Sequence, residues 1–312
     1  MRPVFIGGCE RSGTTMLGAM LGSHPSHLCP PEMPFKIDLL RAGAKRKDLP
    51  ATAIRSVVQS NPKAELQGWR IGDQTWGFES ATAPDAIRTI VKSYGELNDR
   101  SAPQVWIDHT PNNIRWAATL AEAFPESTFV HIIRDARAVA ASLMELEWGS
   151  NTAYRSAHYW LEGVSFGLAA ESALKSRCTR VRYEDLVIEP EATLQQLCKS
   201  IDIEYDAAMV ESGGYAVNTY SRKQHALVGQ APDSARASAW ERKLSSRKVE
   251  IIESIVADEL RLLGYEPRFG LAAVPPTRRE RWSSEAREIL AARIVNRFRK
   301  RLRIRRARRD SS

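Results

Sequence analysis

The sequence predicts an α/β fold: a P-loop-type parallel sheet flanked by helices on both faces, with a basic C-terminal helical tail. Three observations carry that expectation. First, short apolar runs at residues 4–8, 104–108, 128–133 and 179–182 read as strands, and helical patterns stand between most of them, at 83–97, 112–124, 136–146, 153–174 and 191–201. Strands that alternate with helices imply a parallel sheet covered on both faces. Second, a glycine-bearing turn joins the first strand to a first helix at 16–21. Third, 14 Lys/Arg against four acids crowd residues 278–312 in a chain of net charge +8, so the body before them is slightly acidic.

The first strand and its turn read Val4-Phe5-Ile6-Gly7-Gly8-Cys9-Glu10-Arg11-Ser12-Gly13-Thr14-Thr15. Backbone N–H groups and the positive end of the following helix face one anion there, and glycine lets the backbone come close to it. From Gly8 the spacing is that of a Walker A loop in which Thr14 replaces the lysine. A nucleotide triphosphatase relies on that lysine for its β- and γ-phosphates. A cradle without it points to a nucleotide with a different end group, and an ordinary strand–turn–helix is the bland alternative.

The third strand ends in Ile133-Arg134-Asp135-Ala136-Arg137, and Ser142 lies two turns further on. Asp135 is placed to cap the helix, and an arginine with a hydroxyl at that spacing can hold one phosphate by charge-assisted bonds. Arg134 alone reads as a surface ion pair. Beside the glycine loop, it asks for a ligand with two separated phosphates.

Residues 43–82 mix charges, glycine and three aromatics (Trp69, Trp76, Phe78), which suits an insertion over the site. Residues 213–245 are polar with little periodicity and read as a lid, followed by a helix over 247–263 that stops at Gly264. A chain of 312 residues with 43% apolar content can bury one large core or two modest ones. Cys9, Cys29, Cys178 and Cys198 show no CxxC pairing, and the first strand begins almost at Met1, so a reduced, cytoplasmic setting is the expectation. Cys178 and Cys198 read as core residues.

With these pieces together the sequence resembles the sulfotransferase superfamily that uses 3′-phosphoadenosine 5′-phosphosulfate (PAPS), and most of all its tyrosylprotein-sulfotransferase-like and bacterial branch. The opening I-G-G-C-E-R-S-G-T-T-M-L-G-A-M-L-G-S-H-P carries the likeness, with D-H-T-P-N-N at 108–113, the Arg134…Ser142 pair, V-R-Y-E-D-L-V-I-E-P at 181–190, and Ser238, Trp240 and Leu244 near the end. The resemblance spans about residues 3–267 and implies a sulfotransferase domain over 1–270, with 271–312 as the tail.

By position, the resemblance implies that Arg11, Ser12, Gly13, Thr14 and Thr15 bind the 5′-phosphosulfate and that Arg134 and Ser142 bind the 3′-phosphate. Tyr183 matches a tyrosine beside the nucleotide, though a core aromatic reads equally well. Glu32 matches the acid that serves as base for the acceptor hydroxyl, a role worth about 10²–10⁴-fold in rate; a solvated loop glutamate is the alternative. His109 departs from the pattern, which has lysine about there. With an ordinary pKa of about 6.5, it can donate to the leaving group, act as an alternative base, or bond a backbone carbonyl. Ala239 is a second departure from lysine, with Arg222, Lys223, Arg242 or Lys243 as the candidates to supply the charge. Catalysis would then rest on Glu32, His109 and Arg11, by in-line sulfuryl transfer that needs no metal.

The acceptor is expected to bear a hydroxyl: a carbohydrate or glycolipid, a small alcohol or phenol, or a peptide tyrosine. Residues 278–309 read as a helix with Ile289, Ile294, Phe298 and Leu302 among arginines. Peripheral contact with anionic lipid is one reading, a solvated tail the other; no base-reading motif favours nucleic acid. Two rival functions stand beside the main one. Val105-Trp106-Ile107-Asp108 resembles a Walker B strand of a P-loop kinase, and a catalytically inactive nucleotide-binding scaffold would keep the cradle and lose the chemistry.

Overall fold

The computed structural model describes residues 1–69, 79–100, 102–146, 148–215 and 229–291. Its strands are β1 (Arg2–Gly7), β2 (His27–Leu28), β3 (Leu49–Pro50), β4 (Ser80–Ala81), β5 (Val105–Asp108), β6 (Thr128–Ile133) and β7 (Cys178–Arg182). The helices run α1 (Thr14–Gly22), α2 (Lys36–Gly43), α3 (Ala51–Ser60), α4 (Ala83–Glu96), α5 (Ala117–Ala123), α6 (Ala136–Leu143), α7 (Ala153–Leu174), α8 (Tyr183–Ile188), α9 (Pro190–Ser200), α10 (Trp240–Lys243), α11 (Ser246–Leu262) and α12 (Arg278–Leu290).

Five strands form one parallel sheet in the order β2-β5-β1-β6-β7, with Phe5 opposite Asp108 on one side and Phe129 on the other. The expected parallel sheet with helices on both faces is what the chain forms. Alternation along β1 sends Val4 and Ile6 to the face packed by α1, α8 and α9, and Phe5 to the opposite face beneath α4 and α5. Phe5 lies 5.6 Å from the rings of both Trp106 and Phe124 and 5.4 Å from Phe129. A Phe5→Ala cavity there costs about 3–5 kcal/mol. Helices α6, α7 and α11 form a third apolar cluster alongside. All four cysteines are buried, Cys178 and Cys198 as expected.

Strand ends agree with the apolar runs to within a residue or two. β2 has only two residues, too few for a visible alternation. The expected helix over 112–124 begins with a 3₁₀ turn, Pro111–Trp116, before α5. The expected helix over 136–146 stops at Leu143. α8, starting directly after β7, is an element the sequence reading lacked. Residues 43–82 hold α3 and the antiparallel pair β3–β4, while Trp76 and Phe78 lie outside the described residues. Gly264 does end α11, with φ of 76°.

Candidate functional site

Both anion-binding motifs sit at the carboxyl edge of the sheet, where β1 and β6 hand over to α1 and α6. After Gly7 the turn passes through Arg11 at φ 73° and Gly13 at φ 104°. At Gly13 a Cβ would come within 2.6 Å of Tyr183 Cδ2, so only glycine lets the turn lie this close to that ring. Ser12, Thr14 and Thr15 are buried around the start of α1. The Ser12 hydroxyl is buried without a hydrogen-bond partner, so it is a donor still able to meet an acceptor.

Arg134 leaves β6 and turns back on this loop. Its Nη1 donates to the backbone oxygen of Arg11 at 3.1 Å, and its guanidinium stacks 4.0 Å above the Tyr183 ring. Arg11 crosses the other way, its Nε donating to Ser142 Oγ at 3.0 Å. Two β-to-α junctions, 123 residues apart along the chain, thus meet in one cluster of contacts through Arg11, Gly13, Arg134, Ser142 and Tyr183, with Ser12 on the same turn. Burial, and after it the charge of Arg134, lowers the Arg11 pKa, so two cations face each other in a site suited to a doubly phosphorylated ligand. Buried Arg134 Nε has no partner of its own.

Two buried acids stiffen this end. Asp135 accepts from Arg137 N at 2.8 Å as the cap of α6, as expected, and also takes the Arg137 guanidinium. Glu184 accepts the Asp135 N–H at 3.1 Å and the Tyr265 hydroxyl at 2.8 Å. The acidic residue after Tyr183 therefore secures the turn that aims Arg134, a role the linear sequence does not reveal.

Glu32 follows β2 on a proline-flanked loop. Trp69 Nε1 donates to its backbone oxygen at 2.8 Å and Gln67 Nε2 to its carboxylate at 3.2 Å. Burial, with the Glu10 carboxylate adding to it, lifts the Glu32 carboxyl to about 7. Glu10 is itself held by the Tyr159 hydroxyl at 2.5 Å. A carboxylate poised near neutrality is suited to general-base work.

Helix α2, directly after that loop, opens with Lys36, absent from the sequence reading. Its Nζ lies 2.5 Å from Asp108 Oδ2, both side chains almost fully buried. Asp108 also accepts from Thr110 Oγ1 at 2.6 Å and Asn113 Nδ2 at 3.0 Å, while Thr110 Oγ1 accepts from Met33 N at 3.1 Å. Burial pushes the Asp108 carboxyl up, but Lys36 and these donors outweigh it and hold it low. The aspartate that resembled a Walker B residue is thus committed to fastening the Glu32 loop onto the sheet.

His109 is 1% exposed, its ring edge-on to Tyr215 at 4.8 Å and against α1 at Gly18. Burial pulls its pKa to about 4, so it is neutral at pH 7 and brings no positive charge. Its ring nitrogens make no well-formed hydrogen bond, but backbone groups of His109 and Pro30 lie close enough to work against that lowering.

Of the segment 213–245 expected as a lid, residues 216–228 lie outside the described residues, and its two described ends make one contact each here. Tyr215 touches His109, while the backbone oxygen of Arg236 accepts from Arg134 Nη2 at 3.3 Å. Among the cations considered for the charge missing at Ala239, Lys243 pairs with Glu145 at 2.8 Å, Arg242 is exposed, and Arg222 and Lys223 lie outside the described residues. Arg236, not singled out from sequence, meets Arg134 through its backbone oxygen alone, while its own guanidinium lies 3.7 Å from Asp233. Trp240 lies under the Arg137 guanidinium at 4.2 Å, in the core between α6 and α11.

A family model described as "Sulfotransferase family" matches residues 3–207. Protein-tyrosine sulfotransferase A of Caenorhabditis elegans is 25% identical over 275 residues, covering 85% of this chain and 67% of that protein. The Drosophila melanogaster protein-tyrosine sulfotransferase is 25% identical over 278 residues, 85% of this chain, which spans about half of that relative's length (52%). Among solved structures, the sulfotransferase domain from the curacin biosynthetic pathway superposes with a TM-score of 0.55 at 20% identity, over 85% of this chain and 99% of that one.

Proposed function

From the premise that the chain belongs to the Sulfotransferase family, we propose that it moves a sulfuryl group from PAPS to an acceptor hydroxyl by in-line transfer. The observation that carries this reading is the meeting of the two junctions: Arg134 on the Arg11 carbonyl, and Arg11 on Ser142. PAPS supplies an activated sulfuryl group and two phosphate positions, and the orphaned Ser12 hydroxyl and Arg134 Nε are unfilled donors of the kind that ligand needs.

In this reading Arg134, Ser142 and the Tyr183 ring hold the 3′-phosphate end, with the Arg236 backbone oxygen helping to aim Arg134. Ser12, Thr14, Thr15 and the amides around Gly13 hold the other end at the start of α1. These donors, with Arg11, are set before reaction where negative charge gathers on the bridging oxygen. Glu32 accepts the acceptor's proton during attack, a task its carboxyl near 7 suits. Tyr159 keeps the Glu10 carboxylate in place, and Glu10 in turn keeps Glu32 basic. His109, neutral, brings no positive charge to the leaving group; one ring nitrogen can donate and the other can accept a proton as an alternative base.

The acceptor bears a hydroxyl. Relatives named for protein tyrosine make a phenol the first to test, with carbohydrate and glycolipid hydroxyls next. A phosphotransferase reading is not favoured, because Thr14 stands where the lysine would and Asp108 is occupied by Lys36. Calorimetric titration with adenosine 3′,5′-bisphosphate and with Mg·ATP tests the donor, and binding selective for Mg·ATP overturns it. Incubation with sulfur-labelled PAPS and a tyrosine peptide, an oligosaccharide and a cell extract tests transfer. Labelling by wild type and loss with Glu32→Gln is expected; no labelling of any of them leaves a binding scaffold.

A further inference from the structure

We propose that α12 docks the protein on the surface of an anionic lipid bilayer. The helix starts from a capping box in which Thr277 and Glu280 satisfy each other's backbone N–H groups. It then divides cleanly. Glu280, Ser284, Glu288 and Ala291, spaced four, four and three residues apart, are its least exposed positions and face the protein. Arg247 grips Glu280 at 2.8 and 2.9 Å. Glu288 accepts the Asn151 N–H at 2.7 Å, the Asn151 amide at 2.9 Å and the Thr152 hydroxyl at 3.1 Å. Two of the helix's three acids are therefore spent on holding it down.

The opposite face carries Trp282, 74% exposed, and Ile289, 54% exposed, with Ala286 between them. Arg278, Arg279 and Arg281 lie within four residues of the tryptophan and are exposed like it, against the single outward acid, Glu285. The chain beyond, residues 292–312, adds ten Lys/Arg against Asp310 alone. An exposed indole and an isoleucine inside a cationic field match an interface that offers negative headgroups and apolar chains together. A second copy of this chain would bring arginine against arginine. A nucleic acid would use the arginines but has no use for the apolar stripe. Among the described residues no helix is long and apolar enough to cross a bilayer, so the contact is with the surface. Because Glu288 clips α12 to the connection between α6 and α7, the docked helix is coupled to the segment that follows Ser142.

Flotation of the full chain with vesicles of phosphatidylcholine, alone or mixed with phosphatidylglycerol, tests this. Wild type is expected to float with the mixed vesicles and not with phosphatidylcholine alone. Trp282→Ala, at an exposed position, is expected to weaken that binding roughly tenfold, and Arg278→Glu with Arg279→Glu by as much or more. Melting temperature and affinity for adenosine 3′,5′-bisphosphate should stay unchanged in both variants, which separates docking from the donor site. Four results overturn the proposal: no vesicle binding, equal binding to both vesicle types, binding that Trp282→Ala leaves intact, or a Trp282-dependent dimer in sedimentation. Retention of wild type and Trp282→Ala alike by duplex DNA, without vesicle binding, would assign the charge to nucleic acid instead.

Discussion

The Arg134 guanidinium donates at 3.1 Å to the backbone oxygen of Arg11, so the third large strand of the sheet reports directly on the turn after the first. The bond fixes the orientation of a cation that Tyr183 supports from below. Arg134→Ala should therefore weaken adenosine 3′,5′-bisphosphate by about 10–100-fold, the value of one or two hydrogen bonds to a charged group. Arg134→Lys should recover only part of it, since an ammonium cannot stack on Tyr183 and span two acceptors together. Calorimetric Kd values for the three proteins decide the matter; an unchanged Kd in Arg134→Ala places the 3′-phosphate elsewhere.

Glu32 ties activity to pH in a direction that can be worked out. Its folded carboxyl titrates at about 7, so the base form grows as pH rises through neutrality, and kcat/KM should climb across pH 6–8. Glu10→Gln removes one of the charges that raise Glu32, and the climb should move to lower pH. Glu32→Gln should cut kcat by about 10²–10⁴ while leaving nucleotide affinity intact. Stability runs the opposite way. A carboxyl raised on folding favours the protonated protein, so stability falls as pH rises from its unfolded value toward 7. Glu32→Gln should melt higher than wild type above pH 7 and equally at pH 4. A flat pH–rate profile, or full activity in Glu32→Gln, removes Glu32 as the base.

Much of this site was legible because its local signals are strong. A strand, a glycine turn and a helix start are consecutive in sequence, so Ser12, Gly13 and Arg134 could be placed before any coordinates. The long helix α7 was read to both its ends from its apolar period alone. What stayed hidden was long-range pairing. Lys36 looks like an ordinary charged residue on an amphipathic helix, and only folding carries it to Asp108, 72 residues away. Glu184 and Arg236 are hidden in the same way, each acting on Arg134 or its turn from another part of the chain. His109 stays open among three roles in the sequence, because its neighbours there do not reveal that Tyr215 and α1 enclose it.

Lys36 and Asp108 are both about 98–99% buried, and each is costly without the other. Lys36→Met should lower stability by about 3–5 kcal/mol, leaving Asp108 unpaired beneath the Glu32 loop. Adding Asp108→Asn to Lys36→Met should restore part of that loss, since Thr110 and Asn113 can still donate to the amide oxygen. A thermal or urea melt of the two single variants and the double closes the cycle. Additive losses would mean that the two side chains are not coupled.

Arg137 provides the last test, because it joins the anion site to a distant helix. Its guanidinium takes Asp135 at 2.7 Å and Glu253 of α11 at 2.8 Å while covering Trp240 at 4.2 Å. Glu253, fully buried, also accepts the N–H groups of Arg268 at 2.8 Å and Phe269 at 2.6 Å. One buried arginine thus links the cap of α6 to α11 and the chain that follows it. Glu253→Gln keeps the shape and removes one charge, and should destabilise by about 1–3 kcal/mol. Arg137→Met strands two buried carboxylates and should cost about 3–5 kcal/mol. Because Arg134 and Ser142 flank this clamp on the same turn and helix, nucleotide affinity should fall in Arg137→Met even below its melting range. Melting curves paired with calorimetric Kd values read both effects. A variant that loses stability but binds adenosine 3′,5′-bisphosphate as wild type does would mean that Asp135 and Glu184 hold the turn without Arg137.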